Sequence, residues 1–164
     1  MPNVIIVNEK DEIIEYKPRN EKLPTDISRV AGLVIFNSNN EMLLGKRVMT
    51  KKNDPGKWDL AVAGTVEEGE TYESNIVKEA QEEIGLCIKE SDLKFVLHTY
   101  QETSFKYFST VFSVIADKPI TEFKKEDEEV EEIRWVNMNE LREWYKNTPE
   151  DFIPTFGYYV NIKK

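Results

Sequence analysis

Only one cysteine, Cys87, occurs in this chain of 164 residues. No disulfide can therefore form within it, which excludes a disulfide-stapled secreted scaffold. Long apolar runs are also missing. The densest, Val30 to Phe36, is seven residues long and contains Gly32, whereas a membrane-crossing helix needs roughly 18 or more. The apolar run Val4 to Val7 is too short for a secretory leader, and acids follow it closely. Positive charge is in deficit: 22 Lys+Arg against 31 Asp+Glu leave a net charge of −9. A nucleic-acid polymer or an anionic membrane surface would require the opposite balance. What remains is 40% hydrophobic and 11% aromatic, a composition that folds, at a length suited to one domain. The expectation is a single-domain cytoplasmic protein, residues 1–164, that acts on a small molecule.

The pattern of residues predicts alternating strands and helices. Val4-Ile5-Ile6-Val7, a polar turn over Asn8 to Asp11, and Ile13-Ile14 with Tyr16 read as a hairpin. Pro18 and Pro24 bracket a connector, so residues 1–24 form an extension that offers a surface for a homodimer. Val30 to Phe36 reads as a buried strand, and Met42-Leu43-Leu44 begins a second beyond the turn Asn37 to Asn40. Trp58 leads into the short apolar run Leu60 to Ala63. Leu93 to Leu97 and Val111 to Ala116 read as antiparallel neighbours, and Ile133 to Val136 as a further strand. Asn139 is placed to cap a helix over Glu140 to Lys146, and Pro154 to open a last one. Strands and helices mixed in this way predict an α/β or α+β layered fold.

The helix between Thr71, a suitable N-cap, and Gly85, a suitable left-handed C-terminal residue, carries the chemistry. At 100° per residue Ile76, Val77, Ala80 and Ile84 share one arc, which must face the core. Glu79 and Glu83 fall within about 40° of each other at the edge of that arc, with Glu82 a little farther round. Like charges at i and i+4 destabilise a helix by roughly 0.2–0.5 kcal/mol per pair. A hard divalent cation held by oxygen ligands would relieve the repulsion, and Mg²⁺ or Mn²⁺ suits an all-carboxylate set. A solvated acidic face is the alternative that periodicity leaves open.

The whole segment, GTVEEGETYESNIVKEAQEEIGL from Gly64 to Leu86, resembles the Nudix box, G-x5-E-x7-R-E-U-x-E-E-x-G-U with U apolar. Gly64, Glu70, Glu79, Glu82, Glu83 and Gly85 take its fixed acidic and glycine positions, and Lys78 stands where the family has arginine. The resemblance implies the Nudix fold, a mixed β-sheet sandwiched between α-helices. It also implies hydrolysis of a diphosphate linked to another moiety, dependent on a divalent metal. In the family the arginine helps orient the metal-binding carboxylates. Lysine keeps the charge but lacks the planar fork, and as a plain surface residue it would pair with Glu82 one turn on.

Just ahead of the box stand Lys46, Arg47, Lys51, Lys52 and Lys57, with Asp54 the one acid among them. They suit a clamp for substrate phosphates, or else are ordinary solvated lysines. LLGKRVMTKKNDPGKWDLAVAG and the amino-terminal VNEKDEII are similar to isopentenyl-diphosphate isomerases of the wider Nudix superfamily, and to isomerase-like Nudix hydrolases. That resemblance implies diphosphate binding at Arg47 and Lys51. Isomerase chemistry is poorly supported, because Ala63 stands where those enzymes have their catalytic cysteine and Thr65 where a metal-binding histidine is expected. The single histidine, His98, lies far downstream on a strand and reads as structural, and Cys87 reads as a small buried hydrophobe.

Seven acids crowd between Glu122 and Glu132. Most read as solvated loop. EEVEEIRWV nevertheless resembles a segment from which a glutamate reaches the metal site in Nudix enzymes, which points to Glu129, with Glu128 beside it. The resulting expectation is that Gly64 (through its carbonyl), Glu79, Glu82 and Glu83 hold Mg²⁺ or Mn²⁺. Glu82, Glu83 or Glu129 then takes a proton from the attacking water, while Lys46, Arg47, Lys51 and Lys52 bind the phosphates. A Nudix-fold binding module without turnover is the third possibility, and the organic half of the substrate would meet Tyr100, Phe105, Tyr107 or the aromatics of Phe152 to Tyr159.

Overall fold

In chain order the strands are β1 (Val4–Val7), β2 (Ile13–Lys17), β3 (Ile27–Phe36), β4 (Glu41–Arg47), β5 (Trp58–Leu60), β6 (Val62–Thr65), β7 (Lys94–Glu102), β8 (Lys106–Ile115) and β9 (Val130–Asn137). Helix α1 (Tyr72–Ile84) lies between β6 and β7, and α2 (Met138–Asn147) follows β9. The structure, a computed structural model, describes residues 2–164.

β3 organises the sheet. Its apolar residues fill both faces, as a central strand requires. Ala31, Leu33 and Ile35 enter one core layer, while Val34 and Phe36 enter the other, following the two-residue alternation of a strand. β3 runs parallel to β8 along its whole length and antiparallel to β6, and it meets β1 at Val7 and Ile27. A turn at Asn37 to Asn40 sends the chain back as β4, which pairs with β5 and β9. β7 and β8 are antiparallel neighbours. Helix α1 covers one face through Ile76, Ala80 and Ile84. On the other face lie α2 and the carboxyl-terminal turns, with Leu141, Phe152 and Phe156. This is the mixed sheet between helices that the Nudix resemblance implies, an α+β fold.

Some details differ from expectation. The apolar run Leu60 to Ala63 breaks at Ala61, so that β5 joins β4 and β6 joins β3; the break leaves Ala63 and Gly64 at the edge of a cleft. Asn137, not Asn139, caps α2, its Oδ1 accepting from the Asn139 and Glu140 amides. Beyond Pro154 only a single 3₁₀ turn forms, Phe156–Tyr158, because Phe156 and Tyr159 are drawn into the core there. Cys87 is exposed. The αL turn at Gly85 sends Leu86 into the core, and the next residue points outward. On α1 the buried arc includes Asn75, while Val77 is only half-buried.

Candidate active site

Helix α1 is held at both ends by its own sequence. Thr71 Oγ1 accepts from the Ser74 amide and Ser74 Oγ from the Thr71 amide, a reciprocal cap that satisfies orphan donors. At the other end Gly85 adopts φ 68°, and the Leu86 amide reaches back to the Ala80 carbonyl. The helix orientation is thus fixed where Glu79, Glu82 and Glu83 leave it.

Glu79 and Glu83 are half-buried, Glu82 exposed. The first two leave the helix one turn apart and line the same cleft. Burial, and then the charge of Glu79, push the Glu83 carboxyl well above the usual carboxylate range, and burial raises Glu79 as well. Gly64 on β6 sits directly under Glu79: a Cβ there would lie 2.5 Å from Glu79 Cγ, so only glycine lets strand and helix approach this closely. Lys78 does not pair with Glu82. Its Nζ lies 2.5 Å from Glu70 Oε1, 3.6 Å from Glu67 Oε2 and 3.8 Å from Glu79 Oε1.

Across from these carboxylates, Lys46, Arg47 and Lys51 line the same cleft of about 300 Å³, together with Asp59, Glu126 and Glu129. Lys51 bonds to Glu129, and Lys46 lies 3.5 Å from Glu131. Burial, and then the adjacent Arg47, lower the pKa of Lys51. Lys52 does not line this cleft; it faces a second chamber of about 520 Å³. The two spaces meet at Arg47, Asp59, Leu60 and Ala63. Phe105, Tyr107 and Tyr159 wall the second chamber, whereas Tyr100 is exposed elsewhere and Phe152 and Phe156 belong to the core.

Three polar residues here escape sequence reasoning. Asp59 keeps 20% of its side-chain surface, and it lines both chambers. Desolvation accordingly raises its pKa to about 6, against the opposing pull of Arg47, whose Nη1 is 3.5 Å away. A lone acid inside the apolar stretch WDLAVA was the available signal. Glu126 enters the cleft from the acidic run, where nothing distinguishes it from its neighbours; Glu128 is not among the lining residues. Asn75 is fully buried beneath the site. His98 is structural, with Nδ1 2.7 Å from Thr110 Oγ1 and Nε2 3.5 Å from Asp11.

The donor set fits a hard divalent cation. It is all oxygen, both carboxyls cannot ionise at ease side by side without a cation between them, and Gly64 leaves its strand edge open toward Glu79. Among the described residues no three acidic, imidazole or thiol side chains close into a finished cage. Mg²⁺ characteristically takes one or two carboxylates and fills its remaining positions with water and substrate phosphate.

An acidic helix edge facing a basic strand and loop across one cleft of a mixed sheet is the equipment of an enzyme acting on phosphorus-containing acid anhydrides. The NUDIX domain family model matches residues 26–156, and the chain belongs to that family: it is a Nudix hydrolase. A Listeria monocytogenes protein described as an uncharacterised Nudix hydrolase is 32% identical over 139 residues, covering 84% of this chain and 79% of its own. A prenyl-diphosphate phosphatase of Methanosarcina mazei is 32% identical over 129 residues, with 78% and 74% covered. An isopentenyl-diphosphate Δ-isomerase of Klebsiella pneumoniae is 26% identical over 164 residues, with 93% and 85% covered. A crystal structure from Deinococcus radiodurans shares the fold, with TM-score 0.71, 23% identity and coverage of 88% and 89%.

Proposed function

We propose that the protein hydrolyses the diphosphate linkage of a small organic diphosphate in a reaction dependent on Mg²⁺ or Mn²⁺. The observation that carries this reading is that the half-buried carboxyls of Glu79 and Glu83 line one cleft with Arg47 and Lys51. Glu79 and Glu83, with Glu82 and the Gly64 carbonyl, would hold the cation. When bound, it would neutralise phosphate charge and acidify a coordinated water. Arg47, Lys51 and Lys46 orient the diphosphate from the other side, Arg47 with a fork matched to phosphate oxygens. Glu129, which lines the cleft and is tethered to Lys51, is one candidate to accept a proton from the attacking water. Glu82 and Glu83 are the other candidates for that base.

The organic half of the substrate enters the second chamber, past Arg47 and Asp59, against Tyr107 and Tyr159. The prenyl-diphosphate phosphatase relative makes prenyl diphosphates one arm of the test. The isomerase reading is disfavoured by Ala63 at the cleft wall. The one cysteine faces a different hollow beside Ile88 and Ser113. The test is phosphate release from a panel of nucleoside, sugar and prenyl diphosphates with Mg²⁺ and then Mn²⁺, using wild type, Glu79→Gln and Glu83→Gln. Both variants are expected to fold and to lose ~100-fold or more of the activity. Wild-type turnover in both variants overturns the metal assignment, and conversion of isopentenyl to dimethylallyl diphosphate overturns the hydrolytic one.

A further inference from the structure

Asn75 is an expensive residue in its position. Asparagine is a weak helix former, it is fully buried on the core side of α1, and its Oδ1 is the one buried side-chain polar atom among the described residues without a hydrogen-bond partner. An unsatisfied buried acceptor costs on the order of 1–3 kcal/mol. Leucine, nearly the same shape, would occupy the position without that cost. The compensation has to lie in the amide's two N–H groups, and both are engaged. Nδ2 donates to the Thr65 carbonyl at 3.0 Å and to Glu70 Oε2 at 2.8 Å.

These two acceptors belong to the two structures that meet at the metal-binding end of the cleft. Thr65 follows Gly64 on β6, so the bond to its carbonyl pins that strand end to α1 where Gly64 lies under Glu79. Glu70 is shared in a definite way. Its Oε1 takes Lys78, which in turn approaches Glu79, and its Oε2 takes Asn75 and the Glu67 amide. An ammonium is a compact point charge whose three donors spread over separate acceptors, whereas a guanidinium can hold both oxygens of one carboxylate with two parallel bonds. Lys78 leaves Oε2 to be held by something else, and Asn75 holds it.

We infer that Asn75 is a positioning residue for the cation site: its amide clamps Thr65 and Glu70 together and completes, with Lys78, the support that sets Gly64 and Glu79 in register. The inference rests on the metal-dependent reading above and names a residue that this reading does not require. Partners that orient metal ligands typically contribute 10–100-fold in metal affinity.

The test is Mg²⁺ binding to the full chain by titration calorimetry without substrate, alongside the Mg²⁺ concentration for half-maximal hydrolysis. Asn75→Leu, and Asn75→Ala should leucine perturb packing, are expected to weaken Mg²⁺ binding about tenfold. Activity at saturating Mg²⁺ should be largely kept, and thermal stability should be equal or higher in the leucine variant. Lys78→Arg in the Asn75→Leu background is expected to restore most of the affinity, because the guanidinium fork holds both Glu70 oxygens; in the wild type the same change should matter little. A merely structural asparagine predicts lower stability without this rescue. Wild-type Mg²⁺ affinity in both Asn75 variants, or a double variant as weak as Asn75→Leu, overturns the inference and leaves the hydrolase reading intact. A wild type that neither binds Mg²⁺ nor responds to it overturns the metal reading, and this inference with it.

Discussion

Lys78 Nζ stands 2.5 Å from Glu70 Oε1, spanning from the middle of α1 to the loop that precedes it. Burial alone would raise the Glu70 carboxyl, but Lys78, the Glu67 amide and Asn75 together bring it below its ordinary value. Lys78→Ala would leave that carboxylate half-buried with no cation at hand. The pair is neither fully exposed nor fully buried, so a loss of about 1–2 kcal/mol is expected, between the values typical of those limits. Urea unfolding at pH 7 measures it; a change within error would mean that Glu70 is held by its amide donors alone.

Gly64→Ala tests the close approach. The added Cβ meets Glu79 Cγ at 2.5 Å, so the glutamate must turn aside. Overpacking of this kind costs about 1–3 kcal/mol. The expected outcome is a folded protein with sharply weaker Mg²⁺ dependence, seen by comparing circular dichroism with activity across a Mg²⁺ titration. Unaltered Mg²⁺ dependence would remove Gly64 and its contact with Glu79 from the site.

Asp59 predicts a pH dependence of stability. Its carboxyl goes from the ordinary 3.8 to about 6 in the folded protein, so the folded state holds the proton more tightly than the unfolded chain. This group's contribution therefore favours folding at low pH and is lost as the pH rises through roughly 4 to 6. The difference corresponds to about 3 kcal/mol. Asp59→Asn should match wild type near pH 4 and exceed it in stability above pH 6. Denaturant midpoints across that range decide the matter, and a constant gap at every pH would contradict it.

Cation binding should release protons. Glu83 is raised by burial and by Glu79, so near neutrality it carries a proton that a bound cation must displace. Calorimetric titration with Mg²⁺ in buffers of different ionisation enthalpy is expected to give heats that scale with the buffer. Glu83→Gln should abolish most of that scaling. Identical heats in all buffers for the wild type would place the binding elsewhere.

The sequence made α1 and its carboxylates easy to read, because capping residues, apolar period and acidic spacing are all local properties of one segment. β3, β4, β7, β8 and β9 were legible for the same reason, from short apolar or alternating runs. Asp59 is not legible in the sequence because the chamber it opens onto is walled by Tyr107 and Tyr159, which arrive from distant parts of the chain. As a plain surface residue Lys78 would pair with Glu82 one helical turn on, but the loop before α1 folds back and offers Glu70 instead. The basic stretch Lys46 to Lys57 reads as one clamp in sequence, yet Lys51 and Lys52 face different chambers, since neighbouring loop residues can point apart.

Composition and local spacing by themselves determined that this chain is acidic, with a charged helix edge and a basic stretch ahead of it; the resemblance of Gly64 to Leu86 to the Nudix box added the enzyme class. The helix edge and the basic stretch follow from residue type and helical period, which need no knowledge of the rest of the chain. Only the tertiary structure decided which acids face those bases across the cleft, that Asn75 clasps the strand end to α1, and that a second chamber opens beside Asp59. Those outcomes depend on residues tens of positions apart meeting in space, and on which groups lose their water when they do. That loss of water turns part of a net charge of −9 from a solvated surface into a strained carboxyl pair suited to a cation.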